Sequence, residues 1–155
     1  MQIPNKSPIS PSTFFLLTLL GAFFLEYFYS WNISLYIHKT WNFTIGIVFL
    51  LLSLLLNSMA FIEFKKHHTS HAPFVLPKVL LSKGIFSISR NPVYLALLTL
   101  QIGLGFIFDT IWSFCSTFVL FILIEKLIIP DEEKKLEKKF TTSYKKYKQQ
   151  TDRWL

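Results

Sequence analysis

Cysteine is nearly absent from this chain of 155 residues: Cys115 stands alone. An intramolecular disulfide is therefore impossible, the redox compartment stays open, and Cys115 reads as a small apolar packing residue inside an apolar block. Acidic residues are scarce too, nine against sixteen lysines and arginines, which leaves a net charge of +7. There is no internal repeat. Nothing ahead of the first apolar block supplies the strong basic n-region of a secretory leader, and no clean small-residue cleavage site follows it, so that block reads as a retained span. His67 and His71 lie at i, i+4, but no cysteine or acid joins them and His68 at ligand spacing, and Pro73 limits a helix there. No metal site is expected.

Apolar residues are what the chain has in excess. They make up 52% of it, aromatics 17%, and they come in blocks. Four blocks, 13–29, 43–62, 92–108 and 110–129, approach the roughly 20 residues that cross a bilayer core of about 30 Å. The third is short, and starting its helix at Pro92 lengthens it. The expected fold is a single all-α domain, an integral membrane protein of about four transmembrane helices, with a loop over residues 63–91 and a tail over 130–155. Lys6, Lys65, Lys66, Lys78, Lys83, Arg90, Lys126 and the basic tail then fall on one face, and Lys39 alone on the other. The positive-inside rule makes the first face cytoplasmic, with both termini and the long loop. The positive charge belongs to a membrane face, so membrane lipids are the expected partners and nucleic acid is not.

Trp31, Trp41 and Trp112 sit near span ends on the far face, as interfacial anchors. The sequons Asn32-Ile33-Ser34 and Asn42-Phe43-Thr44 fall there as well and read as chance matches close to the membrane. Glu26, inside the first block near its outer end, is expected to snorkel to the interface. Glu125 and Lys126 mark the inner end of the fourth span. In the tail, Leu136, Phe140, Tyr144 and Tyr147 form one stripe among lysines, the pattern of a basic amphipathic helix on an anionic leaflet.

Polar chemistry gathers at Ser89-Arg90-Asn91-Pro92-Val93-Tyr94. Asn91 suits a helix N-cap and Pro92 the first helical position, where a missing N–H costs nothing. Such a helix end, with Arg90 beside it, is a place for an anion. The tight hairpin of the third and fourth spans returns the chain at Ile129, so Asp131-Glu132-Glu133 should neighbour Arg90 and Tyr94. A zwitterionic ligand with a cationic centre fits: its carboxylate meets Arg90 or the amides, its ammonium a glutamate, its cation an aromatic face. The alternative for the three acids is an N-cap and first-turn charges complementing a helix dipole.

From residue 65 onward the chain resembles a family. The run Thr69…Pro73…Leu80…Lys83-Gly84-Ile85-Phe86…Ser89-Arg90-Asn91-Pro92-Val93-Tyr94-Leu95 is similar to the bacterial isoprenylcysteine carboxyl methyltransferase-like proteins, and so is the ending Glu132-Glu133…Leu136…Phe140…Tyr144…Tyr147…Arg153-Trp154. Phospholipid N-methyltransferases and some sterol reductases share parts of the pattern. The resemblance implies methyl transfer from S-adenosylmethionine, a cofactor with the parts just described, to a lipophilic or lipidated acceptor. It implies cofactor contacts from Lys78, Val79, Leu80, Leu81 and Phe86, a second wall from Asn91, Pro92, Val93 and Tyr94, Glu132 at the cofactor's amino-acid end, and a polar contact from His71. Arg90, Glu132 and Arg153 are the candidate catalytic residues. The sequence departs from the pattern at Ile85, Ala96 and Thr141. It also has Ile128 about where carboxyl-methylating relatives carry an arginine, and Lys126 sits on a different helix face. The acceptor is therefore expected to be a membrane lipid rather than a prenylcysteine. A phospholipid N-methyltransferase is the enzymatic alternative, a nicotinamide-dependent reductase is third, and a small adaptor binding anionic lipid is the non-enzymatic rival.

Overall fold

The structure is a computed structural model that describes residues 9–69 and 77–155. Helix α1 spans Pro11–Phe28 behind an Ser10 cap, and α2 spans Lys39–Lys66. Helix α3 covers Pro92–Ile107, α4 Trp112–Leu123 and α5 Ile129–Gln150. Single 3-10 turns at Ile33–Leu35 and Gly84–Ser87 complete the described elements. All are helical, as expected. Three helical stretches, α1, α2 and the run Trp112–Gln150, are long and apolar enough to cross a membrane. The third block, expected to be short, forms α3, whose 16 residues rise about 24 Å.

The helix of the fourth block runs on past residue 129: α4 passes into α5 through a π turn, Ile124–Ile128, without leaving the helix. The cause is Pro130, which cannot donate a backbone hydrogen bond and whose ring crowds the carbonyl four residues earlier. The wider turn, in which Ile129 N–H reaches the Ile124 carbonyl, absorbs that misfit. Because the helix is continuous here, Asp131, Glu132 and Glu133 have no free N-terminus to cap, and the capping alternative falls.

The bundle pairs α2 with α3 and α1 with α4, and α3 and α4 form the hairpin. Helices in lipid approach through small residues. A Cβ on Gly46 would lie 2.9 Å from the Gly103 carbonyl oxygen, so the two glycines let α2 and α3 touch backbone to backbone. Ser53 donates to the Ala96 carbonyl across the same seam, at 2.8 Å. Inside α3, fully buried Gln101 donates to Ser116 on α4 at 2.7 Å and accepts from Thr18 on α1. Large apolar side chains point outward instead: Leu17, Leu20 and Phe24 on α1, Leu51 and Leu54 on α2, Phe118 on α4. That is a lipid-facing surface. Cys115 lies on it, exposed, and is not the packing residue expected.

The hairpin turn is held at Asp109, which adopts φ +58°. Its carboxylate accepts from the Ser34 N–H at 2.7 Å and the Asn42 amide at 2.9 Å. Glu26 joins the same end: it accepts from Ser30 and from Thr110, each at 2.7 Å. These bonds replace the snorkelling expected of Glu26. Trp31 and Trp112 meet edge to face there, ring centroids 5.9 Å apart, while Trp41 stands exposed.

Candidate active site

At the opposite end, the chain turns from the 3-10 segment Gly84–Ser87 into α3. Phe86 is buried against Phe64 of α2, and Ser89 is fully buried. Asn91 occupies the N-cap position of α3, but its side chain caps nothing. Its amide is drawn away to donate to the Arg153 carbonyl at 3.0 Å, which corrects the capping role expected of it. Ser89 donates to the same carbonyl, and the Arg90 N–H donates to the Asp152 carbonyl at 3.0 Å. Residues 151–154 thus lie across the start of α3.

What brings them back is a sharp bend in α5. Thr141 has φ +40° and ψ −112°, outside helical space, and divides the helix in two. The stripe read from the sequence is split by this bend. Tyr144 and Tyr147 are not offered to a leaflet; both are buried. The Tyr147 hydroxyl donates to the Phe86 carbonyl at 2.6 Å, and Tyr144 meets Arg90 at 3.3 Å.

Five charged groups interlock beneath the bend. Arg90 donates to Glu133 at 2.7 Å. Arg153 donates to both oxygens of Glu133, at 3.2 and 2.9 Å, and also to Glu125. Trp154 donates its indole N–H to Glu125 at 3.0 Å and packs on Phe121. Lys148 lies 3.8 Å from Glu133. The sequence led us to expect Arg90 beside Glu132; its partner is Glu133. Glu132 instead accepts from the Tyr94 hydroxyl at 2.7 Å. Asp131 turns to Lys135, one turn on, at 2.7 Å.

Neighbouring glutamates therefore sit in opposite fields. Burial raises the Glu132 carboxyl above the ordinary carboxylate range; the Tyr94 hydrogen bond and the Lys135 charge offset this only in part, and Asp131 adds to it. Burial acts on Glu133 in the same sense, but the Arg153 hydrogen bond and the charges of Arg90, Arg153 and Lys148 outweigh it, and its carboxyl falls below that range. Arg153 is held still more firmly protonated, first by its hydrogen bond to Glu133. Amid this pairing one donor is left over: the buried Arg90 Nε has no hydrogen-bond partner among the described residues.

The structure gathers Arg90, Asn91, Tyr94, Glu132 and Arg153 from the residues picked out by sequence, with Pro92 buried beneath them and Val93 exposed at 37%. Phe86 is tied in through Tyr147. Leu81 is buried with Ala60, Ile85 and Phe86; Lys78 and Val79 are exposed and Leu80 is half-buried. His71 lies outside the described residues. Reasoning from sequence missed Glu125, Tyr144, Tyr147, Lys148 and Trp154 as parts of the cluster. Glu125 carried a signal, an acid at the end of an apolar span, that was read only as a boundary.

A family model described as phospholipid methyltransferase matches residues 41–143, about two thirds of the chain. The chain belongs to the phospholipid methyltransferase family. This makes it, by family, a membrane methyltransferase. No curated protein and no solved structure matches it. Within the span matched to the phospholipid methyltransferases lie Arg90, Tyr94, Glu125, Glu132 and Glu133. Tyr144, Tyr147, Lys148, Arg153 and Trp154, which close the cluster, lie beyond it.

Proposed function

We propose that this protein transfers a methyl group from S-adenosylmethionine to the head of a lipid-like acceptor held in the membrane, and that an amine-bearing phospholipid is favoured over a prenylcysteine. The observation that carries the reading is the Tyr94–Glu132 pair, one residue from the Glu133 that holds Arg90, together with the buried Arg90 Nε that has no partner among the described residues. A donor in that position suits the cofactor's carboxylate, and Glu132 suits its ammonium group, so the residues present fit the cofactor. When bound, it supplies an electrophilic methyl whose leaving group is a neutral thioether, so the chain's task is placement more than acid catalysis. Tyr94, buried and bonded to Glu132, fixes the carboxylate's direction. An ammonium acceptor must first lose a proton. With Glu132 engaged by the cofactor's ammonium, that proton leaves to water at the headgroup level, and Glu132 acts by holding the cofactor in place.

The acceptor argument rests on the arginines. An ionised carboxylate at a membrane surface needs a cationic partner. Arg153 is committed to Glu133 and Glu125, the spare donor of Arg90 is given to the cofactor in this reading, and Ile128, where relatives carry an arginine, is buried in the apolar core at 3% exposure. The cytoplasmic placement of this end, read from loop charge, belongs to the same proposal. The test is transfer of labelled methyl from S-adenosylmethionine by the purified protein in vesicles that contain a phosphatidylethanolamine or a prenylated cysteine. Label in the phospholipid, falling at least about a hundredfold in Glu132→Gln, is the expected result. Efficient labelling of the prenylcysteine, lost in Arg153→Ala, would overturn the acceptor.

A further inference from the structure

Helix α5 carries seven lysines and four acids between Ile129 and Gln150. The structure separates them. Asp131 is paired with Lys135, Glu132 with Tyr94, and Glu133 with Arg90 and Arg153; Glu137 is half-buried. Lys134, Lys138, Lys139, Lys145 and Lys146 are all exposed. The acids have turned inward and left a lysine face.

Where that face lies follows from the helix itself. It continues without a break from the span that begins at Trp112, so its first turns leave the bilayer directly. A straight helix of 22 residues would then carry its far end about 33 Å away, well beyond the screening length of about 8 Å at physiological salt. The bend at Thr141 prevents this. Tyr144 and Tyr147 tie the second half back onto Arg90 and Phe86, and Lys139 donates to the Pro77 carbonyl at 2.9 Å, so Lys145 and Lys146 are kept beside the membrane end of the bundle. Apolar side chains stand exposed at the same end: Ile88 at 56%, Leu127 at 50% and Leu155 at 78%. Cationic groups above exposed apolar ones are the pattern of a surface seated in a headgroup layer.

We propose that the lysine face of α5 is a docking surface for the anionic headgroups of the surrounding leaflet, and that the Thr141 bend exists to hold it there. The proposal is independent of the methyl acceptor. Each lysine near an anionic surface adds attraction, and the loss of compensating acids makes the attraction additive along the face.

The experiment uses the full chain in nanodiscs of zwitterionic lipid, with a fluorophore at Gln149→Cys in a Cys115→Ser background. A minor fraction of phosphatidylglycerol or phosphatidylcholine, spin-labelled near the top of the chains, serves as quencher. Quenching by the anionic lipid should exceed that by the zwitterionic lipid by about fivefold at low salt. The excess should vanish at high salt and in the Lys138→Glu, Lys145→Glu, Lys146→Glu variant. If that variant fails to fold, the salt response of the parent decides alone. Equal quenching by the two lipids at low salt would overturn the proposal. So would no quenching by either, which would turn the face to water and to a soluble acidic partner.

Discussion

The two polar ends of this bundle solve the same problem in different ways. At the Asp109 end, two carboxylates are satisfied entirely by neutral donors in the described contacts: hydroxyls of Ser30 and Thr110, amides of Asn32 and Asn42, and the backbone of Ser34. At the Arg90 end, the carboxylates of Glu125 and Glu133 are held chiefly by two arginines, with the Trp154 indole on Glu125 and Lys148 near Glu133, and Glu132 in the described contacts by a phenol. The first arrangement ties a loop, a hairpin turn and two helices together. At Asp109 the bonds survive if the charge is removed, because both fall on one oxygen and an amide oxygen accepts as a carboxylate does. The second depends on charge, since each arginine is partly buried and would be left without its counterion. Charge is paired with charge at one end and met by neutral dipoles at the other.

That contrast can be broken by neutral isosteres. Glu133→Gln should destabilise the protein by about 3 kcal/mol at pH 7, because it strands a buried guanidinium; thermal unfolding in detergent measures it. The sign with pH is fixed by the depressed carboxyl of Glu133. Its contribution is complete above the unfolded-state value and is lost as pH falls through the folded one, so variant and parent should converge in acid. The next effect has the opposite direction. Glu132 has a raised carboxyl, so the penalty for charging it is absent below the unfolded-state value and grows as pH rises through the folded one. Glu132→Gln should therefore raise the melting temperature at neutral pH, and the gain should fade in acid, while methyl transfer is lost. A melting temperature that falls would mean that Glu132 stabilises the fold and is not held ready for a ligand. The smallest effect belongs to the other end. Asp109→Asn keeps the accepting oxygen and the left-handed backbone that asparagine tolerates, and should cost under about 1 kcal/mol at any pH. A loss equal to that of Glu133→Gln would erase the distinction between the ends.

Much of this was legible in the sequence. The apolar blocks were found because lipid demands long apolar runs and tolerates little else. The meeting of the Arg90 segment with the acids after Ile129 followed from hairpin geometry. Which acid met which base did not follow, because it depends on the phase of a helix that a π turn has shifted. Reading α-helical periodicity through Pro130 gives the wrong facing for residues 131–133. The bend at Thr141 left only an indirect mark, its departure from the glycine of the resembling pattern: a threonine at positive φ is unfavourable locally and is held by the tyrosines beyond it. The roles of Tyr144, Tyr147 and Trp154 were hidden for that reason. Asn91 looked like a cap, and a carbonyl sixty residues away took its amide instead.

The shortness of α3 has a consequence for the lipid around it. Its 16 residues rise about 24 Å against a hydrocarbon core of about 30 Å, and hydrogen bonds fix both its ends: the Asp109 turn at one, Ser89 and Asn91 at the other. A span shorter than the hydrocarbon core favours local thinning of the bilayer around it, so membrane thickness is a variable to which this side of the bundle should respond.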